Sequence, residues 1–257
     1  MITFNINDLM SIFFNFLFVV ARILSFFMIA PLLEDKSIPK EIKLFTSFII
    51  SWFFIWLMPT IDINLFSING FLILIEQVLI GILLGFIMKL VFSTIKISGE
   101  IISFQMGLSF SSVLDVNTHS NTSILSRFLY IFLLLFFLES NGHLLIVSML
   151  FDTFRKIPIQ TIELNSSMFL NVIVFSKYIF IDSFMLMLPI IIVQLILNVS
   201  IGILNRIASQ ISIFSIGFTM TLLVGLYILY LFIPFFSHVY NNIFNRLFFL
   251  LSIVWRN

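Results

Sequence analysis

Long apolar runs are the feature that most limits the folds open to this chain. A helix needs about 20 apolar residues to cross the hydrocarbon core of a membrane. By that criterion about six segments are candidates, near residues 12–30, 44–58, 71–92, 124–150, 172–197 and 211–236. This pattern predicts an all-α integral membrane protein with about six apolar segments.

Polar and proline-containing stretches separate these segments. We expect Ser98, Gly99 and Glu100 to end the third segment, and Pro158 to end the tail of the fourth. A shorter apolar stretch at 243–254 is interpreted either as an interfacial tail or as a last helix.

The composition also favours lipid as the solvent. Hydrophobic residues make up 61% of the chain and charged residues 10%, whereas soluble domains have about 25% charged residues. So few charges cannot build a water-facing surface around a core. Because the hydrophobicity runs from end to end, we predict a single membrane domain over residues 1–257.

Several classes of function find no support in the residues. The net charge is +1 and no run of Lys or Arg could follow phosphates, so we expect no nucleic-acid partner. Cysteine is absent, which excludes disulfides, thiolate metal ligands and cysteine nucleophiles. The three histidines are far apart, and the chain has no nucleotide-binding loop or nucleophile elbow. We therefore expect neither an enzyme nor a bound metal or cofactor.

Five charged residues lie inside the predicted spans. A charge at the bilayer centre costs at least ~2.5–3.5 kcal/mol. The charges could contact other subunits of an assembly, extend to the interface from segment ends, or line an ion path. We favour subunit contacts in general, while extension to the interface fits Lys177 and also Arg22; the other three charges are Glu76, Glu139 and Asp182.

Two glycines in the third segment suggest close helix packing. Gly81 and Gly85 are four residues apart, so they lie on one face of a helix. Such a pair lets another helix approach closely, either within the chain or between chains.

Three stretches together resemble one protein family. The first covers 22–39 and contains Arg22, Ala30-Pro31 and Ile38-Pro39. The second covers 98–158 and contains Gly99-Glu100, Gln105 to Phe110, Asp115, Asn141-Gly142-His143 and Pro158. The third covers 188–225 and contains Leu188-Pro189, Asn198, Gly202, Asn205-Arg206, Gln210, Phe214 to Phe218 and Leu222 to Gly225. In order and spacing these motifs resemble the FliR family of flagellar biosynthetic proteins.

The resemblance implies a channel subunit without enzymatic activity. The family belongs to the export gate of the flagellar type III secretion apparatus, in the inner membrane at the basal body. Its members assemble with FliP and FliQ into a complex of helical hairpins around a pore, with FlhB and FlhA associated. Unfolded rod, hook and filament subunits pass through that pore. We therefore expect lipid and these proteins as partners, and a requirement for the chain in basal-body assembly. The resemblance also implies subunit contacts for the charges inside the spans, namely Arg22, Glu76, Glu139 and Asp182.

The resemblance also implies two functional regions. A loop matching residues 107–121 would plug the closed pore, and the plug residues expected from it are Met106, Gly107, Leu108, Ser109, Phe110 and Asp115. A second helix break, near Asn205, Arg206, Gln210 and Gly217, would be either a hairpin tip against FlhB or FliQ-like partners, or an ordinary turn.

An alternative function comes from the charges alone. Glu76, Glu139 and Asp182 could form the relay of a small-solute or proton-coupled secondary transporter. Transporters of this kind often consist of repeated halves. No two halves of matching pattern are visible here, which counts against this alternative.

Overall fold

Helices make up all the regular secondary structure of the described residues. A computed structural model describes residues 6–31, 38–56, 66–108, 123–159, 166–207 and 213–254. Within these ranges the helices are α1 (Ile6–Ile29), α2 (Lys40–Ile55), α3 (Ile68–Gln105), α4 (Ile124–Glu139), α5 (Gly142–Lys156), α6 (Ser166–Ile207) and α7 (Ile213–Val254). The predicted all-α class is confirmed.

Fewer helices than predicted are long enough to cross a membrane. Four qualify by length and apolar composition: Met10–Ile29, Ile68–Gln105, Ser166–Ile207 and Gly217–Leu247. The number rises to five if α4 and α5 count as one broken span. The expected segment at 44–58 falls on α2, which has only 16 residues. Among the described residues, the count of six is therefore not confirmed.

The predicted end of the third segment is wrong. Helix α3 continues through Ser98, Gly99 and Glu100 and ends at Gln105. Ser98 does not need a loop to satisfy its hydroxyl group, since it donates to the carbonyl oxygens of Thr94 at 2.8 Å and Ser183 at 3.3 Å. Gly99 is tightly packed, because a Cβ there would lie 2.5 Å from Cα of Ser126. These polar and small residues serve packing inside a helix.

The predicted fourth segment is two helices. Helix α4 ends at Glu139 and α5 begins at Gly142, with Asn141 between them at φ 57°. This left-handed conformation is one that asparagine tolerates better than most residues. Ser123 caps the start of α4 by accepting a hydrogen bond from the N–H of Ser126 at 3.2 Å. The segment therefore has its own start and an internal break.

The last apolar stretches belong to one helix. Helix α7 has 42 residues and includes both 213–236 and 243–254, so the second stretch is not a separate helix or tail. Pro234 lies inside it, and Pro189 lies inside α6. Proline is tolerated within membrane helices when neighbouring groups satisfy the freed backbone.

Contacts divide the chain into two compact units. Unit 1 comprises residues 1–90, 141–174 and 247–257, and unit 2 comprises 91–140 and 175–246. The single membrane domain stays a prediction.

Aromatic rings join the helices of unit 1. Phe16 of α1 packs against Phe48 and Trp52 of α2, with ring centroids 5.7 and 6.2 Å apart. Phe54 of α2 makes an edge contact with Phe154 of α5 at 5.7 Å. Such pairs stabilise a contact beyond the apolar area they bury. Helix α2 is therefore held between rings of two other helices.

A larger aromatic cluster lies at the centre of unit 2. Phe92 of α3 contacts Phe137 of α4 at 5.6 Å and Phe244 of α7 at 6.1 Å. Phe137 and Phe244 also contact each other at 5.3 Å. Nearby, the hydroxyl groups of Ser140 and Tyr240 form a hydrogen bond between α4 and α7. Three helices thus meet at one set of rings.

This cluster generates a stability prediction. Phe137 is 1% exposed, whereas Phe128 on the same helix is 61% exposed. Phe137→Ala should lower the free energy of unfolding by about 3–5 kcal/mol, because it removes a ring from a packed core. Phe128→Ala is the matched control and should change it by less than about 0.5 kcal/mol. The measurement is heat-induced unfolding of the two purified variants in detergent. Equal losses of stability in both variants would contradict the packing described.

Candidate functional site

Helices α1 and α3 approach each other at two glycines in unit 1. A Cβ on Gly81 would collide with the hydroxyl of Ser25 and the carbonyl oxygen of Arg22. A Cβ on Gly85 would lie 2.9 Å from the carbonyl oxygen of Phe26. The predicted glycine face of α3 therefore lies directly against the backbone of α1.

This close approach buries the guanidinium group of Arg22. Its Nε donates to Oε1 of Gln77 at 2.8 Å, and its Nη2 donates to the carbonyl oxygen of Ile157 at 3.0 Å. Nη1 donates to Oγ1 of Thr153 at 3.4 Å, and the group lies over the ring of Phe154, 4.1 Å from its centroid. The single side chain of Arg22 thus connects α1 to α3 and to the end of α5.

Two of the charges that we expected at subunit contacts, Arg22 and Glu76, are buried within unit 1. Arg22 has no exposed surface within the chain, and Glu76 is 1% exposed. The Glu76 carboxylate attracts the Arg22 guanidinium electrostatically. Both charges are therefore buried inside unit 1.

The other charges behave differently. Asp182 of α6 accepts a hydrogen bond from Nη1 of Arg246 on α7 at 2.5 Å, so it has a partner within unit 2. The Arg246 guanidinium lies over the ring of Tyr178 at 5.3 Å. Lys177 and Glu139 are exposed. Of the four charges expected at subunit contacts, Glu139 is the most exposed, Asp182 is half-buried, and the other two are buried.

The end of α3 forms a defined cap in unit 2. The N–H of Leu108 donates to the carbonyl oxygen of Ser103 at 3.0 Å, and the N–H of Gly107 donates to that of Phe104 at 3.1 Å. Gly107 has φ +77°. This pair of bonds around a left-handed glycine is a Schellman motif, which satisfies the last carbonyl groups of a helix.

Met106, just before that glycine, is buried between two other helices. A Cβ on Gly225 of α7 would lie 2.7 Å from both Cγ and Cε of Met106, and 2.8 Å from Nε2 of Gln194 on α6. Gln194 also donates to the carbonyl oxygen of Thr221 at 2.7 Å. We call Gln194, Thr221 and Gly225 the Met106 slot. Gly107 in turn faces the ring of Phe218, 3.1 Å from a Cβ at that position.

The remaining predicted site residues are less informative. Ser109, Phe110, Asp115 and Gln210 lie outside the described residues. Asn205 and Arg206 are exposed in the last turn of α6. Gly217 lies inside α7, where a Cβ would be 3.4 Å from Ile201. In the part of the chain that the structure describes, no three His, Asp or Glu side chains are placed to hold a metal ion.

Sequence reasoning missed the slot residues. In the sequence, Gly225 is marked only as one position of the family motifs. Gln194 is a single polar residue in an apolar run, with no second polar residue at helical spacing to indicate a site. Both residues can be recognised as part of the Met106 slot only from the packing of α6 and α7 against the end of α3.

The helices and their packing are those of an all-α membrane protein whose polar groups bond within the chain. The sequence profile of the family described as "Bacterial export proteins, family 1" matches residues 13–247. The chain belongs to this family.

Known relatives share nearly the whole length. A flagellar biosynthetic protein FliR of Buchnera aphidicola (subsp. Baizongia pistaciae) is 59% identical over 247 residues, covering 96% of each chain. That of Escherichia coli (strain K12) is 41% identical over 230 residues, covering 88% of each. That of Bacillus subtilis (strain 168) is 26% identical over 245 residues, covering 93% of each. The resemblance seen in the motifs is thus confirmed.

The glycine contact gives a paired prediction. Gly81→Ala should destabilise the chain by about 1–3 kcal/mol or more, because the methyl group meets the backbone of α1. Gly202→Ala is the control, since a Cβ there has nothing within 4 Å, and it should be neutral or stabilising by up to about 1 kcal/mol. The measurement is the folded yield and melting midpoint in detergent. An unchanged melting midpoint for Gly81→Ala would show that α1 and α3 are farther apart than described here.

Arg22 gives a second pair. Arg22→Gln should cost about 3–5 kcal/mol, because it breaks a buried network and leaves its partners unsatisfied. Arg155→Gln should cost less than about 1 kcal/mol, because an exposed cation over a ring contributes little. Both arginines lie over phenylalanine rings, Arg155 over Phe151 at 4.9 Å. The same melting measurement applies, and equal shifts would mean that the hydrogen bonds of Arg22 contribute nothing.

Proposed function

We propose that this chain is a non-enzymatic channel subunit of the flagellar type III protein export apparatus. In this proposal it resides in the inner membrane at the flagellar basal body. It is required for assembling that structure and for exporting rod, hook and filament subunits in an unfolded form.

One observation carries the proposal. Relatives at 59% and 41% identity are aligned over nearly their whole lengths, and they are named as flagellar biosynthetic proteins. A match of this extent leaves no large part of the chain for a different activity. The family description, bacterial export proteins, supplies the transport role.

The uneven burial of the helices supports an assembly. The candidate spans of α1 and α3 are 56% buried inside the chain, whereas those of α6 and α7 are 22% and 11% buried. The exposed apolar surface of α6 and α7 must face lipid or other proteins. We assign it to lipid and to FliP and FliQ homologues within one complex, with FlhB and FlhA associated.

The end of α3 supports a role in closing the pore. Met106, Gly107 and Leu108 occupy a fixed position on α6 and α7 through the slot and the Schellman motif. The residues that follow along the chain include the proposed plug residues Ser109, Phe110 and Asp115. A plug needs a fixed point of attachment, and this one is built from three helices of unit 2.

The transporter alternative is not favoured. Its relay would use Asp182, but that carboxylate is engaged by Arg246. It would also use Glu76, which attracts the buried Arg22. None of the three relatives from Buchnera, Escherichia and Bacillus is named as a solute transporter.

Co-purification tests the proposal. A tagged form of the chain would be extracted in mild detergent from cells that also express FliP and FliQ homologues, and the product read by native gel and mass spectrometry. We expect one large complex that contains all three proteins. Gly202→Ala should give the same complex, whereas Gly81→Ala should give little, because it disrupts the fold of the chain.

The contrary results are equally clear. A monomer or homodimer without FliP and FliQ would contradict the proposal. Solute uptake by vesicles that contain this chain alone would establish the transporter instead, and Glu139→Gln would then be the first variant to assay.

A further inference from the structure

Two cations and one carboxylate lie around a single aromatic ring in unit 2. Nζ of Lys177 is 5.2 Å from the centroid of the Tyr178 ring, and Cζ of Arg246 is 5.3 Å from it. A cation is attracted electrostatically to the face of such a ring. Arg246 also binds the carboxylate of Asp182. We call Lys177, Tyr178, Asp182 and Arg246 the Tyr178 cluster, which joins α6 to α7.

The Tyr178 cluster has one more positive charge than it has negative charges. Arg246 and Asp182 form an ion pair, so their charges balance each other. Lys177 is exposed, and among the described residues no carboxylate forms an ion pair with it. A guanidinium group has five N–H donors, and the hydrogen bond to Asp182 uses Nη1 of Arg246. Both cations therefore have donors left for an anion such as a phosphate group.

The spacing of charges along the two helices indicates where this cluster lies in a membrane. Helix α6 has no charged residue at 183–205, between Asp182 and Arg206. At 1.5 Å per residue this stretch is about 35 Å long, close to the roughly 30 Å of a hydrocarbon core. Helix α7 has no Asp, Glu, Lys or Arg at 213–245, and its candidate span ends directly after Arg246. This spacing puts the cluster and Arg206 at opposite edges of the hydrocarbon, at the depth of lipid headgroups.

An exposed apolar stripe begins at the cluster and continues along α6 toward the hydrocarbon. Its residues follow Lys177 at helical spacing, so they share a face with that cation. All of them are exposed: Ile181, Phe184, Met185 and Leu188. A molecule with an anionic head and apolar chains matches both parts of this surface, the head at the cations and the chains at the stripe.

We propose that the Tyr178 cluster binds an anionic phospholipid. Its phosphate accepts hydrogen bonds from Lys177 and Arg246, and an acyl chain lies along the apolar stripe of α6. The surplus positive charge favours a headgroup with a net negative charge over a zwitterionic one. Binding of such a lipid requires only the membrane helices of the chain and is independent of the export role.

Native mass spectrometry of the full-length chain in mild detergent tests this site, with phosphatidylglycerol as the anionic probe. We expect phosphatidylglycerol adducts on the unchanged chain. Lys177→Gln should weaken this binding about fivefold, which is the effect of one basic residue at an anionic lipid surface. Lys177→Arg keeps the charge and should bind the lipid as the unchanged chain does. Because Lys177 is exposed, both changes should leave the fold intact.

Arg206→Gln is the matched control. Arg206 is an exposed cation in the last turn of the same helix, at the other edge of the hydrocarbon. In the described parts of α6 and α7, the other cations are Lys177 and Arg246, and both belong to the cluster. Arg206 thus has no second cation of these helices beside it. Its removal should leave the phosphatidylglycerol adduct of the cluster in place.

Two further probes identify the source of the phosphate group. Phosphatidylcholine, whose headgroup has no net charge, should bind the unchanged chain more weakly than phosphatidylglycerol. Inorganic phosphate should not displace phosphatidylglycerol, because it has no acyl chain to contact the stripe. Equal binding of the two lipids, or displacement by inorganic phosphate, would overturn the lipid site.

Results with the variants can overturn it as well. The contrary results are unchanged binding by Lys177→Gln, a loss with Lys177→Arg, or an equal loss with Arg206→Gln. A lower yield of the complex with FliP and FliQ homologues for Lys177→Gln, without any change in lipid binding, would assign the cluster to a protein partner instead. The proposed function fails on a separate result, normal export by cells that lack the chain.

Discussion

Close approach of helices at glycine is the constraint on which the rest of this structure depends. In lipid the hydrophobic effect does not favour one helix pair over another, so fit and polar bonding decide. At Gly81, Gly99 and Gly225 a single added carbon would meet a backbone or a side chain of another helix. These contacts bring the carbonyl and amide groups of different helices within reach of one another. The network around Arg22 and the slot around Met106 both require that proximity.

Polar groups inside the helices then find partners in the chain itself. Arg22 bonds to α3 and α5, and Ser183 donates to the carbonyl oxygen of Thr94 at 2.8 Å. Intramembrane polar residues are expensive unless they are bonded. Among the described residues, several of these side chains, such as Ser98 and Gln194, bond to another helix. Gln194 beside Met106 departs from that rule, because its Oε1 is buried without a hydrogen-bond partner.

Local pattern predicted the helical class and the glycine face of α3, since both depend on periodicity and composition. Local pattern failed where a residue's conformation depends on contacts with residues far away in the sequence. Ser98 and Gly99 have the composition of a loop, and only Ser183 and Ser126 of other helices explain why they are helical. Arg22 reaches Thr153, 131 positions away, which no spacing rule reveals. The slot was hidden for the same reason, because it combines three helices that are far apart in sequence.

A photo-reactive amino acid at Leu108 tests whether this chain lines a protein export channel, as we propose. A flagellar subunit fused to a domain that cannot unfold would stall during export and remain in the gate. We expect a covalent adduct between the chain and this subunit from position 108, and none from position 128, which is exposed on α4. No adduct at 108, or equal adducts at both positions, would contradict it.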